Sequence, residues 1–194
     1  MQAFFRSTRL WFFVSLYPLL RGVWCVVQGD LVNPIEFITR SSGTWTLVFL
    51  LLTLSMTPLR QLTGWSGWQN YRRMLGLYAF FYASLHFATY IWLDQFFAWG
   101  EIYTDVLKRP FITVGFAAFI LLIPLAATSN KLMMRRLKRR WGQLHRLVYL
   151  IAILAVTHYW WLVKKDLSQP IIYAAVLAVL LGWRMQRHWR QLRA

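Results

Sequence analysis

Four histidines are the side chains in this 194-residue chain best suited to do chemistry rather than only pack: His86, His145, His158 and His188. His86 and His158 each lie deep in an apolar stretch, and no stretch of that kind carries an acidic residue. An imidazole inside a bilayer is expensive, so it needs a partner or a ligand to stay there. Two imidazoles on different helices, able to meet at one depth, are what a haem iron with two histidine ligands requires. The competing reading is that each ring only hydrogen-bonds a neighbouring helix.

His145 is a different case. It precedes His158 by thirteen residues, a rise of about 20 Å along a helix, so the two cannot share one iron. On a continuous ideal helix they would also point some 140° apart. One haem-spacing inward of His86 stand Arg72 and Arg73 instead of a histidine. Three roles therefore stay open for His145: ligand to a second haem, contact to another cofactor, or headgroup-region residue. His188 sits in the basic tail from Arg184 to Arg193 and reads as a solvated interfacial residue. Arg21 is the one charge inside an apolar stretch, suited either to neutralise a haem propionate or to snorkel to the interface. Tyr82 and Tyr90 flank His86 at i−4 and i+4 and share its face. They are pocket walls or core.

The elements that must hold these residues are membrane helices. The chain is 58% hydrophobic and 14% charged, with 12 Trp, 9 Tyr and 14 Phe, more apolar surface than a water-soluble domain of this size can hide. Six apolar segments are legible, at 10–28, 43–58, 74–93, 111–128, 147–163 and 171–184. Several fall short of the ~20 residues that span a hydrocarbon core, so their ends are expected to extend into polar flanks. They are too apolar for alternating barrel strands. The expected fold is an all-α, six-transmembrane-helix bundle forming one domain over 1–194. The first segment follows Arg6 and Arg9 as a signal peptide would, but Arg21 interrupts it and no small-residue cleavage site follows, so it reads as retained. No internal repeat is evident.

Charge orients the bundle. The N-terminus, the second loop, the fourth loop (Lys131 to Arg146) and the tail hold 16 Lys and Arg, against five on the opposite side. All six acids, Asp30, Glu36, Asp94, Glu101, Asp105 and Asp166, fall on that opposite side. The positive-inside rule then places both termini in the cytoplasm. The net charge of +16 is sorted by a membrane, which argues against nucleic acid as a partner. The basic fourth loop is an anchor against anionic lipid, or a phosphate contact by the same electrostatics. The single Cys25 excludes a disulfide framework, thiolate cluster ligation and a Cys-x-x-Cys-His haem attachment. No Gly-x-Gly-x-x-Gly or phosphate-binding loop appears, so electrons would enter from one partner and leave to another. With His86 and His158 in the outer half, the haem they hold would sit near the exit, beside the loop from Asp94 to Arg109. A stand-alone ferric or quinone reductase, or a scaffold or transporter whose histidines carry protons, are the competing functions.

Several stretches carry a family likeness. Arg72-Arg-Met-Leu-Gly-Leu followed by Ser84-Leu-His-Phe-Ala-Thr-Tyr resembles the third helix of the ferric-reductase-like transmembrane domain. More narrowly, it resembles the haem-binding membrane subunit of bacterial periplasmic methionine sulfoxide reductase systems. Thr57-Pro-Leu-Arg60, Lys108-Arg-Pro-Phe-Ile-Thr-Val-Gly115, and Trp141-Gly-Gln-Leu-His-Arg-Leu-Val-Tyr-Leu150 leading to His158-Tyr159 add to it. The resemblance covers nearly the whole chain. It implies a multi-pass protein of the bacterial inner membrane with His86, His145 and His158 as haem ligands, binding one or two haem b and FMN. It implies electrons taken from the quinone pool or a flavin reductase. They would pass to a periplasmic molybdopterin-containing methionine sulfoxide reductase, the other half of a heterodimer. No motif here assigns FMN positions. One histidine on the third helix, where larger relatives have two, leaves the haem count open.

Overall fold

The computed structural model describes residues 8–29 and 31–193; Arg6 and Asp30, counted above for charge, lie outside them. Within the described residues every regular element is helical. The order is α1 Thr8–Gln28, α2 Pro34–Thr63, α3 Trp68–Thr89, α4 Trp99–Lys108, α5 Pro110–Ala127, α6 Lys131–Leu137, α7 Arg139–Leu144, α8 Leu147–Leu162 and α9 Ser168–Arg193. Five of these are long and apolar enough to cross a membrane: α1, α2, α3 with its extension to Asp94, α5 and α9. The expected span 147–163 forms α8, whose 16 residues cover only about 24 Å of a core about 30 Å thick.

Helix ends follow capping chemistry rather than the end of apolarity. α2 starts nine residues ahead of the expected 43, where Asn33 accepts the Glu36 N–H at 3.1 Å and Pro34 takes the first turn. It stops at Gly64, whose φ of 69° suits a residue without Cβ and whose N–H bonds the Arg60 carbonyl. The stretch 94–109, expected as a loop, is instead a turn and a helix. α3 runs into a π-helical turn over Tyr90–Asp94, and Phe96 and Phe97 follow at φ 44° and 60°. α4 then sets Trp99, Tyr103 and Leu107 exposed along one line at i, i+4 and i+8.

Two antiparallel pairs build the core. α2 lies against α3 and α5 against α8, around Leu50, Leu54, Ala79, Tyr82, Ile151 and Ala152. Phe49 stacks on Tyr78 and Tyr82 at 5.5 and 5.3 Å. Phe119 of α5 stacks on Phe80 and Phe87 of α3 and joins the two pairs. α1 and α9 flank them, with Phe13, Trp24, Val27 and Val179 turned outward. Such faces suit lipid rather than water.

A proline inside a helix leaves the carbonyl four residues back unpaired, and side chains bond the backbone beside two of these prolines. Pro58 offers no N–H to the Leu54 carbonyl four residues back. The Arg184 guanidinium of α9 donates to that carbonyl, and to Leu180 O at 2.7 Å. It also lies over the Tyr149 ring, 5.4 Å from its centre. Beside Pro18, the Tyr82 hydroxyl donates to Ser15 O at 2.9 Å and accepts from Leu19 N–H at 3.2 Å. Those are the two groups that one helical bond would join. Tyr82 therefore fastens α1 to α3, as does Tyr78, whose hydroxyl donates to Phe12 O at 2.8 Å.

Candidate functional site

His86 lies three residues before the end of α3, and His158 four before the end of α8. The two pairs bring the imidazoles together: their ring centroids are 6.2 Å apart and their planes 73° to one another. Each ring is seated the same way. His86 Nδ1 bonds the Thr39 carbonyl of α2 at 2.9 Å, and His158 Nδ1 bonds the Phe111 carbonyl of α5 at 2.7 Å. A carbonyl only accepts, so Nδ1 carries the proton in both rings and Nε2 keeps its lone pair. That is the tautomer a metal ligand needs, oriented by a backbone partner.

The separation fits a shared iron. Two metal–nitrogen bonds of about 2 Å, with about 1 Å from each nitrogen to its ring centre, put the centroids about 6 Å apart. Among the described residues no group of three or more His, Cys, Asp or Glu could hold a bare metal ion. Two lone-pair nitrogens with no carboxylate are a donor set for haem, whose ring supplies the other ligands. The Phe111 ring, 6.3 Å from His158, adds apolar surface beside the pair.

Two glycines complete the seats, and sequence reasoning missed both. A Cβ built on Gly43 would stand 3.1 Å from His86 Nδ1 and Cε1. On Gly115 it would meet His158 Nδ1 at 2.6 Å and Cε1 at 2.8 Å. Each carbonyl lies 47 residues before its histidine, with the glycine one helical turn further on. The set Thr39, Gly43, His86 thus recurs 72 residues later as Phe111, Gly115, His158. The repeat that the sequence does not display is one of spacing, not of residue type.

His145 is not part of this arrangement. It follows α7, and a turn separates it from α8, so the 140° expected from a continuous helix does not apply. Thr128 Oγ1 donates to Pro124 O at 2.7 Å and so accepts, at 3.0 Å, from His145 Nε2. Here the proton sits on Nε2. Trp141 stacks on the ring at 4.0 Å and 25°, and its Nε1–H bonds the Thr128 carbonyl at 3.0 Å. Burial, and then the Arg72 charge, hold this imidazole below its ordinary pKa. At that 72-residue offset the counterpart of His145 is Arg73, so the level of His145 holds one histidine where that of His86 and His158 holds two.

The remaining expectations resolve by contact. Arg21 and His188 are exposed. Tyr82 is taken up by α1, and Tyr90 donates to Asp105 at 3.3 Å. Asp105 also accepts from Gln95 and pairs with Arg109 at 3.2 Å, which ties α4 to the start of α5.

The family described as Ferric reductase like transmembrane component matches residues 42–156, which include His86 and His145 and stop two short of His158. A Bordetella pertussis protein named Protein-methionine-sulfoxide reductase heme-binding subunit MsrQ is 52% identical over 98% of this chain and 94% of its own length. Proteins of the same name from Xanthomonas euvesicatoria pv. vesicatoria and Xanthomonas oryzae pv. oryzae are 55% and 56% identical, over 88% and 84% of this chain and 79% and 73% of theirs. No solved structure gives a significant match.

Proposed function

The chain belongs to the ferric-reductase-like transmembrane family, and to its MsrQ type; from that premise we propose that it is a b-type cytochrome subunit that carries electrons outward across the bacterial inner membrane. Its donor is the quinone pool or a cytoplasmic flavin reductase. Its acceptor is a periplasmic molybdopterin-containing methionine sulfoxide reductase, with which it forms a heterodimer supporting repair of oxidised proteins. Reduction of the sulfoxide takes place on that partner. Six spans with cytoplasmic termini complete the reading, α8 crossing with the help of its flanks.

One observation carries this proposal: two imidazoles 6.2 Å apart, each with Nδ1 held by a helix carbonyl and Nε2 left as the lone-pair nitrogen. His86 and His158 would hold haem b through those nitrogens. When bound, haem supplies one-electron transfer without transfer of an atom. The chain's own part is orientation and surroundings. The Thr39 and Phe111 carbonyls fix the tautomers and raise ligand basicity. Phe111 contributes apolar surface at the pair. The Asp105 node holds α4 at the end of the bundle where an acceptor would dock. At the opposite end His145, Arg72, Arg73 and the basic segment from Lys131 to Arg146 border the donor side. FMN, and a second haem with His145 as ligand, follow from the family resemblance, and ligation by His145 Nε2 would require the Thr128 contact to give way.

Optical spectroscopy of the purified protein tests the proposal, with b-type Soret and α bands expected. Adding the purified periplasmic reductase and its sulfoxide substrate should speed reoxidation of the dithionite-reduced protein. A colourless preparation overturns the cytochrome assignment. Bands that reoxidise at an unchanged rate overturn the acceptor.

A further inference from the structure

Glycine inside a helix costs up to about 1 kcal/mol relative to alanine, and α2 and α5 each place one at the point where a histidine arrives. To reach the carbonyl of residue i from outside the helix, a ring must lie over the position one turn on, where the side chain of i+4 would project. At Thr39 and Phe111 that position is Gly43 and Gly115. The clearance is narrow. At Gly115 an added Cβ would lie 2.6 and 2.8 Å from the His158 ring, closer than such atoms come in proteins. At Gly43 the approach to His86 would be 3.1 Å, which a shift of a few tenths of an ångström relieves. The neighbour in both cases is a tethered ring, not the free end of a flexible chain. By contrast, Gly76 of α3 would bring its Cβ no nearer than 3.6 Å to the Thr53 methyl.

We propose that Gly43 and Gly115 are positioning residues for the two haem-ligating imidazoles: by withholding a side chain they let each ring lie on its helix and bond the carbonyl one turn earlier, which fixes ring angle and tautomer. The proposal rests on the haem reading above. It extends it by assigning the orientation of the imidazoles to the partner helices α2 and α5 rather than to the helices that carry them. Any side chain at 115 pushes the His158 ring off the Phe111 carbonyl. His158 then loses the acceptor that strengthens it as a ligand and is no longer seated as His86 is.

The test uses the full-length protein in detergent with Gly43→Ala, Gly115→Ala and Gly76→Ala. Haem retention, the low-spin ferric EPR g values and the midpoint potential are measured alongside helicity by circular dichroism. Gly115→Ala is expected to weaken haem retention about tenfold or more, to move the g values and to raise the potential. Gly43→Ala should move the g values in a smaller step with haem retained, and Gly76→Ala should match the wild type. Wild-type g values and potential in Gly115→Ala overturn the proposal. Should Gly115→Ala lose its helicity, Gly43→Ala decides: g values equal to those of Gly76→Ala overturn it. A wild-type protein without haem instead overturns the function on which the proposal stands.

Discussion

The pair His86 and His158 and the single His145 use the same side chain in opposite tautomers. His86 and His158 give their Nδ1 protons to helix carbonyls and keep Nε2 as a lone pair. His145 gives its Nε2 proton to Thr128, which has spent its own on Pro124. The first arrangement leaves Nε2 as a lone pair and the second commits Nε2 to a hydroxyl at a helix junction. The difference teaches that residue type and depth do not separate these two arrangements. The atom opposite each ring nitrogen does.

The sharpest way to break this comparison is to remove the histidines singly. His86→Ala and His158→Ala should each reduce haem content of the purified protein at least about tenfold, while His145→Ala keeps the outer haem. Equal loss in all three would place His145 on the same footing as the pair. The proline breaks give the next effect. Arg184→Met leaves the Leu54 carbonyl without its partner, and Tyr82→Phe removes the hydroxyl that ties Ser15 O and Leu19 N–H to α3. Each should lower stability by about 1–3 kcal/mol, read from thermal unfolding in detergent. Neither should disturb the seating of His86 and His158, and a haem spectrum lost at wild-type stability would contradict that separation. Thr128→Val removes two neutral hydrogen bonds, to Pro124 O and from His145 Nε2, together worth about 1–2 kcal/mol, and frees His145 Nε2. An additional low-spin signal in that variant would show His145 to be a ligand in waiting; an unchanged spectrum is expected. Exposed Arg21→Gln should change unfolding by no more than about 0.5 kcal/mol; a larger loss with altered haem would return Arg21 to the site.

Much of the site was legible because burial of an imidazole in lipid has few explanations. His86 and His158 stood out by position alone, and the charge asymmetry set their likeness in depth. The seats were not legible. Gly43 and Gly115 are small residues in apolar runs, and nothing near them in the chain marks a ring arriving from 47 positions away. The repeated spacing has meaning only once the pairs α2–α3 and α5–α8 are known. Helix existence followed from apolarity, whereas helix ends followed from Asn33, Pro34 and Gly64, which hydropathy does not weigh. α4 escaped because a ten-residue amphipathic helix lacks the length of a span, although Trp99, Tyr103 and Leu107 carried its period. Tyr82 shared a face with His86, as expected, yet its hydroxyl is committed to the break at Pro18.

The central claim is that one iron is held by His86 and His158 and by no other side chain. Low-temperature EPR of the oxidised, purified protein and its histidine variants tests it most directly. The account predicts a low-spin ferric signal with two imidazole ligands in the wild type and in His145→Ala, absent from His86→Ala and His158→Ala. A high-spin wild-type signal, or a low-spin signal that survives loss of His86 or His158, would contradict it.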